Sequence, residues 1–464
     1  MDAFADKLGR IGAWAGQNKY LGAIKNAFQN FMPATIAGAI GVLWTNVLIT
    51  DAVVNGAPQG LGGLIPAVMV LEPINAVFNA IQFCTISCIA IGIVMLIAQE
   101  IAEANGETGA FPAVLGFMCW AMVTPTAHAV TGLTAYTDAA GTAVTIGTVL
   151  EQAGVDLAGV GTFTGFAGSY MGATGLFTSL IIGILGLEIY NFFRKREGLK
   201  IKMPEQVPPG VARAFEVLIP TALTLLVVGV IGWAVQMATG LYFNDVISTY
   251  LQEPLQNIIG ANIVAVMIMY VLISLFWLVG IHGNNMLSAV KEALFTPLAL
   301  ENVEAFNKGE TPKNIINMYA LQMWGEFGGS GVTIGLVIAI MIFGKREDNK
   351  AIATLSLVPG LFNINETVTF GIPMVLNPIL GIPFVVAPLI TIIIGYVLTV
   401  IGFCPVACLT VPWTCPPIVF GFLACGANVM GAVTQAILIV VSTVIYVPFL
   451  ISYEKYQNKQ AAEA

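Results

Sequence analysis

Leu361-Phe-Asn-Ile-Asn-Glu-Thr-Val-Thr-Phe-Gly-Ile-Pro-Met-Val-Leu-Asn-Pro378 sets one carboxylate, Glu366, and two amides, Asn363 and Asn365, among apolar neighbours. The nearest charges upstream are Asp348 and Lys350. Pro359-Gly360 precede the polar triplet, and Gly371, Pro373 and Pro378 follow it. Proline removes a backbone donor and glycine loosens a helix, so one continuous helix through this stretch is not expected. Broken backbone at membrane depth survives only inside protein or beside a watery cavity, since each unsatisfied amide in lipid costs on the order of several kcal/mol. Residues 355 to 376 are therefore expected to form a re-entrant hairpin tipped by Asn363, Asn365 and Glu366. An ionisable group at such a place is a functional candidate.

Composition puts the stretch in a bilayer. The chain has 464 residues, is 57% hydrophobic and 9% charged, and has a mean hydropathy of +0.86; soluble domains carry roughly 25% charge. This is the composition of an all-α polytopic membrane protein, and nothing in it points to a nucleic-acid partner. Basic residues set sidedness more than net charge does, and none of them lies between Lys25 and Arg194. Clusters at Lys7 to Lys25, Arg194 to Arg213 and Lys455 to Lys459 are expected on the cytoplasmic side, with four crossings between the first two.

Apolar segments at about 27–49, 72–99, 109–131, 166–193, 214–239, 261–281, 378–402 and 430–451 are candidate spans of a hydrocarbon core of about 30 Å. The stretch from 314 to 344 is too long for one straight crossing and holds Glu326 and the Gly328-Gly-Ser-Gly331 break. Either it is bent into two elements or a flanking basic cluster breaks the charge rule. The expectation is about ten transmembrane helices with re-entrant hairpins, interfacial amphipathic helices and both termini inside. The first 26 residues and residues 241–259 carry the amphipathic pattern. The chain is expected to divide into halves at 1–245 and 246–464.

The seven cysteines sit in apolar surroundings without histidine or acidic partners at ligand spacing, so they are expected to be small buried hydrophobes, with no metal or other cofactor. The two histidines are His128 and His282. The second stands in Gly280-Ile-His-Gly-Asn-Asn285, at the end of an apolar span, where it either bonds a helix end or belongs to a site. His282, Asn284 and Asn285 with Asn363, Asn365 and Glu366 make a constellation of directional donors and acceptors suited to a hydroxylated solute. Trp44, Trp120, Trp233 and Trp324 are candidates for interfacial anchoring or sugar stacking.

Gly280-Ile-His-Gly283, Phe362-Asn-Ile-Asn-Glu366 and Phe370-Gly-Ile-Pro-Met-Val-Leu-Asn-Pro378 together resemble the membrane IIC component of the lactose/cellobiose (diacetylchitobiose) family of sugar phosphotransferase systems. The resemblance extends to Ala23-Ile-Lys-Asn-Ala-Phe28, Met32-Pro33, Met203-Pro-Glu-Gln-Val-Pro-Pro209, Pro297-Leu-Ala-Leu-Glu-Asn302, Gly328-Gly-Ser-Gly331 and Val411-Pro-Trp-Thr414. It implies a permease of the bacterial cell membrane and a homodimer, with the N-terminal half at the interface and the C-terminal half carrying the sugar. It also implies a disaccharide substrate phosphorylated on its 6-hydroxyl by the phosphocysteine of a separate IIB protein, itself charged by IIA. His282 and Glu366 match the family's sugar-contacting histidine and glutamate, and both are candidate catalytic residues. Thr367 stands where the family usually has proline. An ion-coupled sugar transporter, with Glu366 carrying a proton, is the competing reading.

Overall fold

The computed structural model describes residues 18–463 except 52, 55, 56, 59, 130–133, 138–142, 154–160, 205, 257 and 259–261, together with residues 10, 13, 14 and 17. The amphipathic segment expected over the first 26 residues therefore lies largely outside the described residues. The main helices are α1 (Lys19–Leu43), α2 (Asn75–Gln82), α3 (Ile89–Ala104), α4 (Phe111–Val123), α5 (Leu176–Arg194), α6 (Leu218–Thr239), α7 (Ile263–Leu278) and α8 (Gly283–Asn307). They continue with α9 (Met318–Gly325), α10 (Ile334–Phe343), α11 (Glu347–Leu361), α12 (Glu366–Gly371), α13 (Gly381–Val400), α14 (Val419–Ala424) and α15 (Val429–Glu463). Three short two-stranded antiparallel ladders in the connections are the β structure among the described residues.

Six described helices are long and apolar enough to cross a membrane: Lys19–Leu48, Pro66–Ser87, Ala173–Arg194, Pro209–Thr239, Gly381–Val400 and Val429–Glu463. Met318–Val332 and Ile334–Phe343 pass together as a pair bent by 60°, and Phe111–Val123 and Ile263–Leu278 are shorter apolar helices. The long segment between two basic clusters is thus bent, one of the two outcomes left open by its sequence. By length and composition these helices do not add up to the expected ten. The apolar run 72–99 is divided at Cys88, between a helix ending at Ser87 and α3. Thr85 bonds back to the Ile81 carbonyl at 2.6 Å just before the break, a local bond that competes with the helical ladder.

Two compact units form, one from residues 90–250 and one from 1–89 with 251–464. In the first, α4, α5 and most of α3 cross closely because Gly116 faces Ala98, Gly183 faces Ile97 and Gly186 faces Cys119. Small residues at crossings let helix backbones approach where lipid offers no hydrophobic drive between helices. Its buried Glu107 is held by Arg194 at 3.1 Å and by the Tyr190 hydroxyl at 3.2 Å.

In the second unit, helix starts are satisfied by side chains. Asn18 accepts from the backbone N–H groups of Tyr20 and Leu21, Asn262 from Val264, and Asn317 from Tyr319 and Ala320. Each such cap contributes roughly 0.5–2 kcal/mol in water. The bent pair turns through Gly328, Gly329 and Gly331, whose φ values are +73°, +86° and +77°. A Cβ on Gly331 would also stand 2.4 Å from the Phe384 ring of α13.

Gly331→Ala should therefore lower the apparent melting temperature of the purified protein, whereas Gly198→Ala, with open space around its Cβ position, should leave it unchanged. Thermal unfolding followed by tryptophan fluorescence checks this; equal melting temperatures for the two variants would remove the steric account of the bend.

Candidate functional site

α11 runs through Pro359 to Leu361, the chain turns over residues 362–365 with Asn363 at φ +62°, and α12 starts at Glu366. The expected hairpin is present as a helix, a break and a short helix, with the three predicted residues in the break or at its edge. They line a cavity of about 300 Å³. His282, Asn284 and Asn285 line the same cavity, so the six predicted site residues are brought together.

His282 precedes α8, and its Nδ1 accepts the Asn285 backbone N–H at 3.2 Å. A nitrogen that accepts carries no proton, so the neutral ring bears its hydrogen on Nε2. That atom stands 3.5 Å from Oε1 of Glu366. Burial lowers the pKa of the imidazole, and the neighbouring Glu366 carboxylate, which acts to raise it, offsets this only in part. The Trp277 ring lies beside His282 with centroids 4.5 Å apart and the planes tilted by 48°. Both site groups keep solvent access, with side-chain exposures of 35% for His282 and 45% for Glu366.

The amides divide differently. Asn363 accepts the Gly328 N–H at 2.7 Å and donates to the carbonyls of Trp413 and Cys415. Asn365, buried, donates to the Ser330 carbonyl at 2.9 Å. Asn284 donates to the Ser330 hydroxyl at 3.0 Å and receives Lys291 Nζ at 3.5 Å. Lys291 also forms an ion pair with Glu326, which accepts from the Tyr270 hydroxyl at 2.7 Å. The Asn285 side chain makes no described hydrogen bond, while its backbone N–H caps onto His282.

Residues 25–388 match the family described as phosphotransferase system, EIIC. The chain belongs to this family. The EIIC chain is 33% identical, over 97% of both lengths, to a protein of Lactococcus lactis subsp. lactis described as a PTS system cellobiose-specific EIIC component. It is 29% identical, over 94% of its own length and 90% of the relative's, to an oligo-beta-mannoside-specific EIIC component of Bacillus subtilis. Among solved structures it is similar to the transporter ChbC, the IIC component from the N,N'-diacetylchitobiose-specific phosphotransferase system. The TM-score is 0.84 with 28% identity over 98% of each chain. The EIIC chain is accordingly an integral membrane sugar permease component.

Sequence reasoning missed several lining residues of the EIIC chain: Lys25 and Gln29 on α1, Lys291 and Glu292 on α8, Glu326 beside the bend, and Trp413. Lys291 and Glu326 are 35 positions apart, and only their charge in apolar surroundings signals them. The tryptophans singled out beforehand stand elsewhere: Trp120 and Trp324 are fully buried, Trp44 stacks on Phe78, and Trp233 is exposed. Trp413 and Trp277 are the ones near the site.

Removing one partner of a buried ion pair strands the other charge and costs roughly 3–5 kcal/mol, whereas removing both at once costs far less. Lys291→Met and Glu326→Gln should each destabilise the purified EIIC chain strongly, and the double variant should recover most of the loss. A double-mutant cycle on melting temperature reads the coupling; additive losses would show that the pair is not coupled.

Proposed function

We propose that this EIIC chain binds a disaccharide of the cellobiose, diacetylchitobiose or lactose type in the cavity of the second unit and presents its 6-hydroxyl to phosphorylated IIB. The observation that carries this is the His282–Glu366 pair at 3.5 Å, facing a cavity lined by both polar and apolar side chains. A cavity of about 300 Å³ lies at the lower end of the range for ligand pockets, roughly 300–1,000 Å³. Glu366 takes the hydroxyl proton and His282 Nε2–H orients the same oxygen. Asn285 and Trp413 contact the sugar. Asn284, Asn363 and Asn365 line the cavity with their amides engaged to protein and act mainly by shaping it. The cellobiose-type preference is supported by the relatives' specificities. The ion-coupled alternative, with Glu366 as proton carrier, draws no support from the family.

The proposal extends to assembly. The chain acts as a homodimer in the lipid bilayer with both termini cytoplasmic, meeting its partner through the N-terminal half, 1–245, and carrying sugar with the half from 246. Support comes from the separate compact unit at 90–250 and from the six predicted residues falling together in the other. The contact grouping differs from that division in one respect, since residues 1–89 pack with the second half.

Glutamine keeps one acceptor of the carboxylate but cannot take a proton. General-base assistance contributes about a hundred- to ten-thousand-fold in rate. Glu366→Gln should bind disaccharide measurably by calorimetry yet lose nearly all sugar phosphate formation with saturating phosphorylated IIB in vesicles, and His282→Ala should impair both. Phosphorylation by the glutamine variant within about tenfold of wild type removes the base role. Accumulation of unmodified sugar driven by a proton gradient alone would overturn the phosphotransferase reading.

A further inference from the structure

The cavity holds two ammonium groups in different situations. Lys291 is tied to Glu326 and reaches Asn284. Lys25, projecting from α1, lines the cavity with Gln29, His282 and Glu366, and it has no hydrogen-bond or ion-pair partner among the described residues. The three carboxylates of the cavity are engaged without it. Glu326 has Lys291 and Tyr270, Glu292 accepts from the Thr296 hydroxyl, and Glu366 faces His282. An ammonium that lines a cavity without a carboxylate partner is open to an anionic ligand.

A neutral disaccharide offers an ammonium group nothing to neutralise, but a phosphoryl group in transfer spreads negative charge over three equatorial oxygens. We propose that Lys25 is a catalytic residue that binds the phosphoryl group as it passes from the IIB phosphocysteine to the sugar. This rests on the phosphotransferase reading above. The sugar 6-oxygen attacks phosphorus, the O–P bond forms as the S–P bond breaks, and the cysteine sulfur leaves with the electron pair as thiolate. The hydroxyl proton passes to the Glu366 carboxylate. Lys25 meets the charge on the phosphoryl oxygens from the α1 side of the cavity, while His282 Nε2–H stays on the attacking 6-oxygen from the α8 side. Lys25 lines the same cavity as His282 and Glu366. Lys25 is also the last basic residue before the long uncharged-by-cation run that ends at Arg194, so it belongs to the basic group assigned to the side from which IIB approaches.

The test uses the full-length protein in vesicles with wild-type, Lys25→Met and Lys25→Arg forms. Disaccharide Kd should stay within about threefold for Lys25→Met, while kcat at saturating phosphorylated IIB falls by about a hundred- to a thousandfold, the usual cost of a lost charge-stabilising donor. Lys25→Arg should retain at least about a tenth of the wild-type rate, since guanidinium also binds phosphate. Turnover of Lys25→Met within threefold of wild type overturns the inference. So does a loss confined to the KM for IIB, which would make Lys25 a docking residue. Wild-type protein gives a readout that does not depend on variant folding: binding of the sugar 6-phosphate should weaken as salt rises while binding of the parent disaccharide does not. Equal salt dependence for the two ligands counts against the inference. Failure of wild type itself to form sugar phosphate sinks the underlying reading instead, so the two failures are distinct.

Discussion

Two breaks in membrane helices satisfy each other, and the site follows from that. Gly328, Gly329 and Gly331 leave the helical path with positive φ, and residues 362–365 interrupt a second helical run, so both leave backbone groups without helical partners. Asn363 accepts from Gly328, Asn365 donates to the Ser330 carbonyl, and the Tyr446 hydroxyl donates to the Gly331 carbonyl at 2.8 Å. Gly329 has no room for a Cβ because the Asn365 side chain occupies the space, 2.7 Å away. The Asn-Ile-Asn spacing is thus explained by hydrogen-bond bookkeeping before any ligand is considered. Glu366 follows directly after it and is left facing the cavity.

Charge is managed by the same economy. Lys291 and Glu326 lie 35 positions apart and cancel within the cavity wall, with Tyr270 donating to the same Glu326 oxygen and Lys291 reaching Asn284. A pair satisfied in this way holds the bend against α8 and gives the wall its polarity without leaving a net charge. Loops beyond the site are tied in similar fashion: Asn302 and Asn317 both donate to the Ala407 carbonyl, and Tyr319 donates to Thr410. These bonds anchor the segment that brings Trp413 to the cavity.

Much of this was legible in the sequence, for physical reasons that differ by element. Hydropathy exposed the apolar helices, and Pro359-Gly360, Gly371 and the glycines at 328–331 marked the breaks, because backbone chemistry there is local. The division at Cys88 was not legible, since no proline or glycine stands at it. Helix α15 continues to Glu463, past the apolar run, through a polar tail whose helicity hydropathy does not report. Within the site, Glu366 and His282 were visible as polar groups beside apolar spans. Lys25 and Gln29 were not, because only the packing of α1 with the rest of its own unit turns that face toward the cavity. Pairing across a fold is a long-range property, and spacing alone carries no trace of it.

His282 shows why the local and the long-range parts meet where they do. As the residue before α8 it accepts, on Nδ1, the Asn285 backbone N–H that would otherwise be an orphan at the helix start, which sets the ring orientation and leaves the hydrogen of the neutral ring on Nε2. Gly283, next in the chain, lets α8 begin in close contact with α7, since a Cβ there would lie 1.9 Å from the Ile273 carbonyl oxygen. With Nδ1 occupied and Trp277 beside the ring, Nε2–H stands on the cavity side, 3.5 Å from Glu366 Oε1. A helix cap that costs the protein nothing extra therefore delivers an oriented donor to a carboxylate more than eighty positions away in sequence. The Gly-Ile-His-Gly motif is read most economically as a capping device whose unused nitrogen became the site.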